Sequence, residues 1–115
     1  DFKNEKVYSR REQIEGHLPF SESDINTVKN AMKDVVNTDN GTAKTAMLQK
    51  GIIAGKTGTA ENPHGEPHSW FTCFYPFSKP EITVTVIIEN GGSGSGAAAQ
   101  ISRKIIEWYQ ERNFD

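Results

Sequence analysis

The stretch Ile52-Ile53-Ala54-Gly55-Lys56-Thr57-Gly58-Thr59-Ala60-Glu61 places one lysine, two hydroxyls and a bare glycine at the end of an apolar run. A lysine in such company costs desolvation unless an anion or a polar network meets it. The arrangement suits an anion, such as a carboxylate, laid along a strand. Lys56 would supply point charge, Thr57 and Thr59 hydroxyl donors, and Gly58 close backbone approach. Free strand N–H groups can pair with a peptide-like substrate or stabilise an oxyanion. A lysine that merely snorkels from a strand end fits the same residues, and physical chemistry alone leaves both readings open.

Other stretches carry weaker chemistry. Gly55-Lys56-Thr57 after an apolar strand invites a phosphate-loop reading, but that motif needs a glycine five positions earlier, where Lys50 stands. Asn62-Pro63 also breaks the helix that should follow. Gly92-Ser93-Gly94-Ser95-Gly96-Ala97 matches a dinucleotide fingerprint in outline, yet no second strand with its acidic residue follows. A flexible turn reversing the chain into a last helix is the better reading. His64 and His68 are separated by Gly65-Glu66-Pro67, which prevents a helix that would place both on one metal-binding face. Cys73 lies in a strand of aromatics and reads as a buried structural thiol, not a nucleophile. Neither a metal nor an organic cofactor is implied.

The elements that must position Lys56, Thr57, Gly58 and Thr59 follow from periodicity. Ser21-Glu22-Ser23-Asp24 offers N-cap side chains in capping-box spacing. Ile25, Val28, Met32, Val35 and Val36 then share a helical face, and Asn37-Thr38-Asp39-Asn40-Gly41 stops the helix with residues that tolerate left-handed backbone. Strand patterns occupy residues 51–61, 68–77 and 81–89, the last alternating Ile82, Val84, Val86 and Ile88 with Thr83, Thr85 and Ile87. The short joint Ser78-Lys79-Pro80 favours antiparallel neighbours. A second helix spans about residues 97–112, with Ile101, Ile105 and Trp108 on one stripe. Residues 1–20 read as a poorly defined lead-in, an incomplete strand around Val7-Tyr8 plus a loop.

The outline is α+β: helix, three antiparallel strands, helix, in a single partial domain. Trp70, Phe71, Cys73, Phe74 and Tyr75 make the middle strand apolar on both faces, and two helices hardly cover both. The 115 residues fit one domain at most, and a hydrophobic share of 35% makes its autonomy marginal. Asp1 in place of Met leads to the expectation of a piece of something longer. A net charge of -2 with scattered Lys and Arg gives no cationic field, so nucleic acid is a poor partner. No apolar run reaches the ~18 residues of a membrane span, and one cysteine excludes an internal disulfide framework.

Lys56-Thr57-Gly58-Thr59-Ala60-Glu61 resembles the K-T-G-T element of penicillin-binding proteins, the serine D,D-transpeptidases that cross-link peptidoglycan and are acylated by β-lactams. Asn62-Pro63-His64-Gly65, His68-Ser69-Trp70-Phe71, Glu89-Asn90-Gly91-Gly92-Ser93-Gly94 and the closing helix are similar, in order and spacing, to the end of class B enzymes of the cell-elongation type. The resemblance implies a C-terminal fragment of the serine β-lactamase and penicillin-binding transpeptidase fold. It implies that Lys56 helps organise proton transfer and substrate charge. It implies that the Thr57 and Thr59 hydroxyls hold the terminal carboxylate of a D-Ala-D-Ala stem peptide or a β-lactam, and that the Thr59 N–H contributes to the oxyanion hole.

The family's mechanism also needs a serine in an S-x-x-K turn and an S-x-N element. Ser9, Ser21, Ser23, Ser69, Ser78, Ser93, Ser95 and Ser102 are the serines here. None has lysine three residues on or asparagine two residues on. The expectation is an inactive fragment of an enzyme on the outer face of the bacterial membrane, anchored by a segment upstream. Its partners would be the missing part of its own domain and, through an exposed sheet, further copies of itself. Two rivals stand beside it: a β-lactam sensor module of the same fold, and a stand-alone protein using the strand for a carboxylate ligand.

Overall fold

The computed structural model describes residues 14–113, so the lead-in around Val7-Tyr8 lies outside the described residues. Helix α1, Glu22–Asn37, starts at a complete capping box. The Asp24 N–H donates to Ser21 Oγ at 3.1 Å, and the Ser21 N–H donates back to Asp24 Oδ2 at 3.1 Å. The Ser21 hydroxyl, closing on the same carboxylate at 2.6 Å, holds the Asp24 carboxyl below the usual carboxylate range.

Two features of α1 differ from the sequence expectation. The stop uses no left-handed residue: Thr38 is extended, and its N–H and hydroxyl both donate to Asp34 O. Gly41 instead supplies closeness, because a β-carbon there would strike Val35 O and lie 2.7 Å from Asp34 O. The apolar face is also only partly used. Val36 is fully buried, whereas Ile25 and Val28 remain exposed and line an open apolar groove with Leu18 and Phe20. The C-terminal half docks α1, with Asn37 Nδ2 donating to Ile53 O at 2.8 Å ahead of the first strand.

A short 3-10 turn, Lys44–Ala46, leads to a three-stranded antiparallel sheet of β1 (Ala54–Ala60), β2 (His68–Tyr75) and β3 (Ile82–Ile88), ordered β1-β2-β3. The strands are a residue or more shorter than their patterns, although Phe77 N–H still donates to Ile52 O beyond the ends of β1 and β2. Alternation along β2 sends Ser69, Phe71, Cys73 and Tyr75 to one face, where all four are buried. Helix α2, Ala97–Asn113, covers that face against β2 and β3.

The part of α2 that meets the sheet is Ala98, Ala99, Ser102 and Ile106, all fully buried. Small side chains let the helix axis approach the sheet closely. Ser102 satisfies its hydroxyl within the helix, donating to Ala98 O at 3.0 Å. The stripe Ile101, Ile105 and Trp108 stays together but faces solvent, Trp108 at 54% exposure with the Arg112 guanidinium over its ring. The second face of the sheet is likewise incompletely covered. Lys29 and Lys33 of α1 reach Phe74 and Phe77 at one end, while Trp70 and Ile87, paired across β2 and β3, are 39% and 48% exposed.

Candidate functional site

Within the described residues β1 has a strand neighbour on one side only, β2, so its other edge carries backbone groups that no strand pairs. The register places Thr57 opposite Phe71 and Thr59 opposite Ser69, on the face that α2 covers. Lys56 and Gly58 lie opposite Thr72 and Trp70, on the other face. The strand therefore separates the lysine from the two hydroxyls, and any ligand that meets both must straddle the β1 edge. Nor is Lys56 desolvated. Ile53, Ala54 and Gly55 before it are buried, but Lys56 is exposed, and its ammonium donates to the carbonyl of Thr57 at 2.7 Å.

Each hydroxyl has a neighbour from a distant part of the chain. Thr57 Oγ1 lies 3.4 Å from Thr42 Oγ1, on the turn after α1. Thr59 Oγ1 accepts from the Gly94 N–H at 3.4 Å, from the loop before α2. A hydroxyl that accepts from behind keeps its own proton to donate elsewhere, which is what a carboxylate requires. Gly94 lies flat on the ladder where Gly58 pairs with Trp70: a β-carbon there would collide with Gly58 O and sit 2.6 Å from Trp70 O. Ser69, buried beneath, donates its hydroxyl to Ser93 O at 2.9 Å. The stretch read as a flexible turn is thus seated on the end of β1.

Thr42 and Gly94 were not legible as part of this site. Thr42 is one of several threonines in a polar stretch, and nothing in its spacing ties it to Thr57. The glycines of residues 91–96 announce a turn without saying what the turn touches. His68 and His64 do not converge: His68 Nδ1 accepts the Asn90 N–H at 3.0 Å, while the His64 N–H donates to Asn62 Oδ1. Cys73 is a structural thiol, 1% exposed, and burial pushes it up to about 11.

The amino-acid sequence matches the family model of the penicillin binding protein transpeptidase domain over residues 2–107. The chain belongs to that family. It is 36% identical over 115 residues to the peptidoglycan D,D-transpeptidase MrdA of Haemophilus influenzae, covering 79% of this chain and 18% of that protein. It is 40% identical over 80 residues to the peptidoglycan D,D-transpeptidase PbpA of Mycolicibacterium smegmatis, covering 56% of this chain and 16% of the relative. The chain thus spans less than a fifth of the length of the curated relatives it matches.

Solved structures agree. The crystal structure of Pseudomonas aeruginosa PBP2 in complex with WCK 5153 superposes with a TM-score of 0.69 at 36% identity, over 76% of this chain and 20% of that one. PBP2 from Helicobacter pylori, in its complex with MreC, gives 0.69 at 28% identity, over 81% and 18%. The α+β fold is that of a portion of a class B penicillin-binding transpeptidase domain.

Proposed function

We propose that these 115 residues supply the substrate-carboxylate side of a peptidoglycan D,D-transpeptidase whose attacking serine lies elsewhere in the same polypeptide. The observation that carries this reading is the β1 edge, where the Thr57 and Thr59 hydroxyls share one face and the adjacent backbone is unpaired by any described strand. A stem peptide ending in D-Ala-D-Ala, or a β-lactam, lies along that edge with its carboxylate on the two hydroxyls. Lys56 adds positive charge from the opposite face, and the Thr59 N–H serves the oxyanion.

The serine Oγ attacks the carbonyl between the two D-alanines, the terminal D-alanine leaves as its amine takes up a proton, and an ester to serine remains. The amine of a neighbouring stem then attacks the ester, forming the cross-link amide and returning the serine. Peptidoglycan as substrate places the work outside the cytoplasmic membrane; among the described residues no helix is long and apolar enough to cross one. The chain alone binds but does not turn over, because no serine in it stands three residues before a lysine.

The test is a titration of the 15N-labelled chain with N-acetyl-D-alanyl-D-alanine and with its C-terminal amide, following the backbone resonances of residues 57–59. Shifts that saturate with the acid and are far weaker with the amide support the reading. Equal responses, or responses remote from β1, overturn it.

A further inference from the structure

We propose that Asn62, His68 and Asn90 form a clasp that positions Thr59, acting through the loop before α2; this rests on the carboxylate reading of β1 just given. Two loops meet at this end of the sheet, residues 61–67 between β1 and β2, and residues 89–96 between β3 and α2. Asn62 Nδ2 donates to Asn90 Oδ1 at 2.8 Å, joining side chain to side chain across 28 residues. The Asn90 N–H donates to His68 Nδ1 at 3.0 Å. The Gly92 N–H donates to Pro67 O at 2.9 Å.

Asn90 needs such support. Its φ of 55° is the only left-handed conformation at a non-glycine residue among those described, a state that asparagine tolerates better than most side chains. Asn62 holds its carboxamide and His68 its amide, so the turn is pinned from the β1–β2 loop and from β2 at once. Asn62 is itself oriented, because its Oδ1 accepts the His64 N–H at 3.0 Å and leaves Nδ2 to face Asn90. His68 accepts at Nδ1, which leaves Nε2 as the ring nitrogen that can donate.

The consequence travels only a few residues. With Asn90 and Gly92 held, Ser93 O receives the Ser69 hydroxyl, and Gly94 settles onto the Gly58–Trp70 ladder with its N–H on Thr59 Oγ1. That contact occupies one lone pair of the hydroxyl and leaves its proton to donate at the open edge of β1. Asn62, His68 and Asn90 touch no substrate; they are positioning residues that set one of its two hydroxyl donors. Lys56-Thr57-Gly58-Thr59 alone does not contain this information.

The experiment uses the 115-residue chain and the same two probes, N-acetyl-D-alanyl-D-alanine and its amide. Asn62→Ala removes one half of the side-chain bond. Asn90→Gly removes the other half while keeping the left-handed turn free of strain. Each variant is expected to weaken binding of the acid about fivefold and to leave binding of the amide within about twofold, with the double variant no worse than either single one. The Gly94 amide exchanges its hydrogen faster in both.

Equal losses for acid and amide reduce the clasp to general structural support and overturn the proposal. Unchanged selectivity with unchanged Gly94 exchange overturns it as well. If Asn62→Ala does not fold, Asn90→Gly decides. A wild-type chain that fails to distinguish acid from amide overturns the carboxylate reading itself, an outcome separate from selectivity that survives in both variants.

Discussion

A threonine hydroxyl serves a carboxylate only when its proton points at the ligand; Thr59 Oγ1 accepts from the Gly94 N–H, whereas Thr57 and Thr42 can each donate to the other. Thr57→Val and Thr59→Val are close in shape and exchange the whole hydroxyl, donor and acceptor together, for a methyl group. Each is expected to weaken binding of N-acetyl-D-alanyl-D-alanine about tenfold, with serine at the same position restoring most of it, as titration calorimetry or resonance shifts would measure. Loss that serine does not restore would assign the threonines to packing instead. Cys73 yields a second residue-scale prediction, because its thiol titrates near 11 in the fold against ~8.5 in an unfolded chain. The folded state therefore disfavours the thiolate. The stability that this contributes is complete below the unfolded value and is lost as pH rises through 11. Denaturant unfolding between those limits should fall more steeply for the wild type than for Cys73→Ala; parallel curves would show that the thiol reaches water. Folded Cys73 should also resist alkylation at neutral pH until the protein opens.

The elements show what periodicity reports and what it omits. The capping box at Ser21 and Asp24, the alternation in β3 and the antiparallel hairpins were readable, because each is a local rule written in neighbouring side chains. The docking face of α2 was not. Three of its large apolar residues, Ile101, Ile105 and Trp108, point away from the sheet, and Ala98, Ala99 and Ser102 make the contact with Ile106 as the one bulky residue among them. A hydrophobicity pattern weights bulk, whereas close approach of a helix to a sheet rewards smallness. The same limit hid the seat of Gly94 and the service of Gly41 at the end of α1, both set by backbone atoms distant in sequence or turned back on themselves. Gly94→Ala should therefore cost at least about 2 kcal/mol in denaturant unfolding, since the added methyl meets backbone that cannot rotate aside. Ser21→Ala should cost about 1 kcal/mol and remove the part of the acid dependence carried by Asp24. That part is present above the ordinary carboxylate range and lost as pH falls below it. A Gly94→Ala variant as stable as the wild type would contradict the close seat.

At the scale of the whole molecule, the surface left apolar is larger than two helices can hide. Trp70 and Ile87 lie exposed on one sheet face, Ile101, Ile105 and Trp108 on α2, and Leu18, Phe20, Ile25 and Val28 around the start of α1. The isolated chain is expected to self-associate, its mass in light scattering rising with concentration, and Trp108→Glu with Ile87→Lys should return it toward monomer. A clean monomer at every concentration would remove that expectation. The sequence anticipated the shortage of cover from the two-sided apolar character of β2, and Trp70 is where that shortage is visible. Strand alternation by itself puts Lys56 on the opposite face of β1 from the Thr57 and Thr59 hydroxyls.

The most direct measurement is to raise an antibody against this chain, treat membranes of the source cells with labelled penicillin, and map the label on whatever the antibody captures. A labelled polypeptide several times longer than 115 residues is expected, with the label on a serine outside them. Capture of an unlabelled chain of this size alone, or a label on one of the eight serines present here, would contradict that expectation.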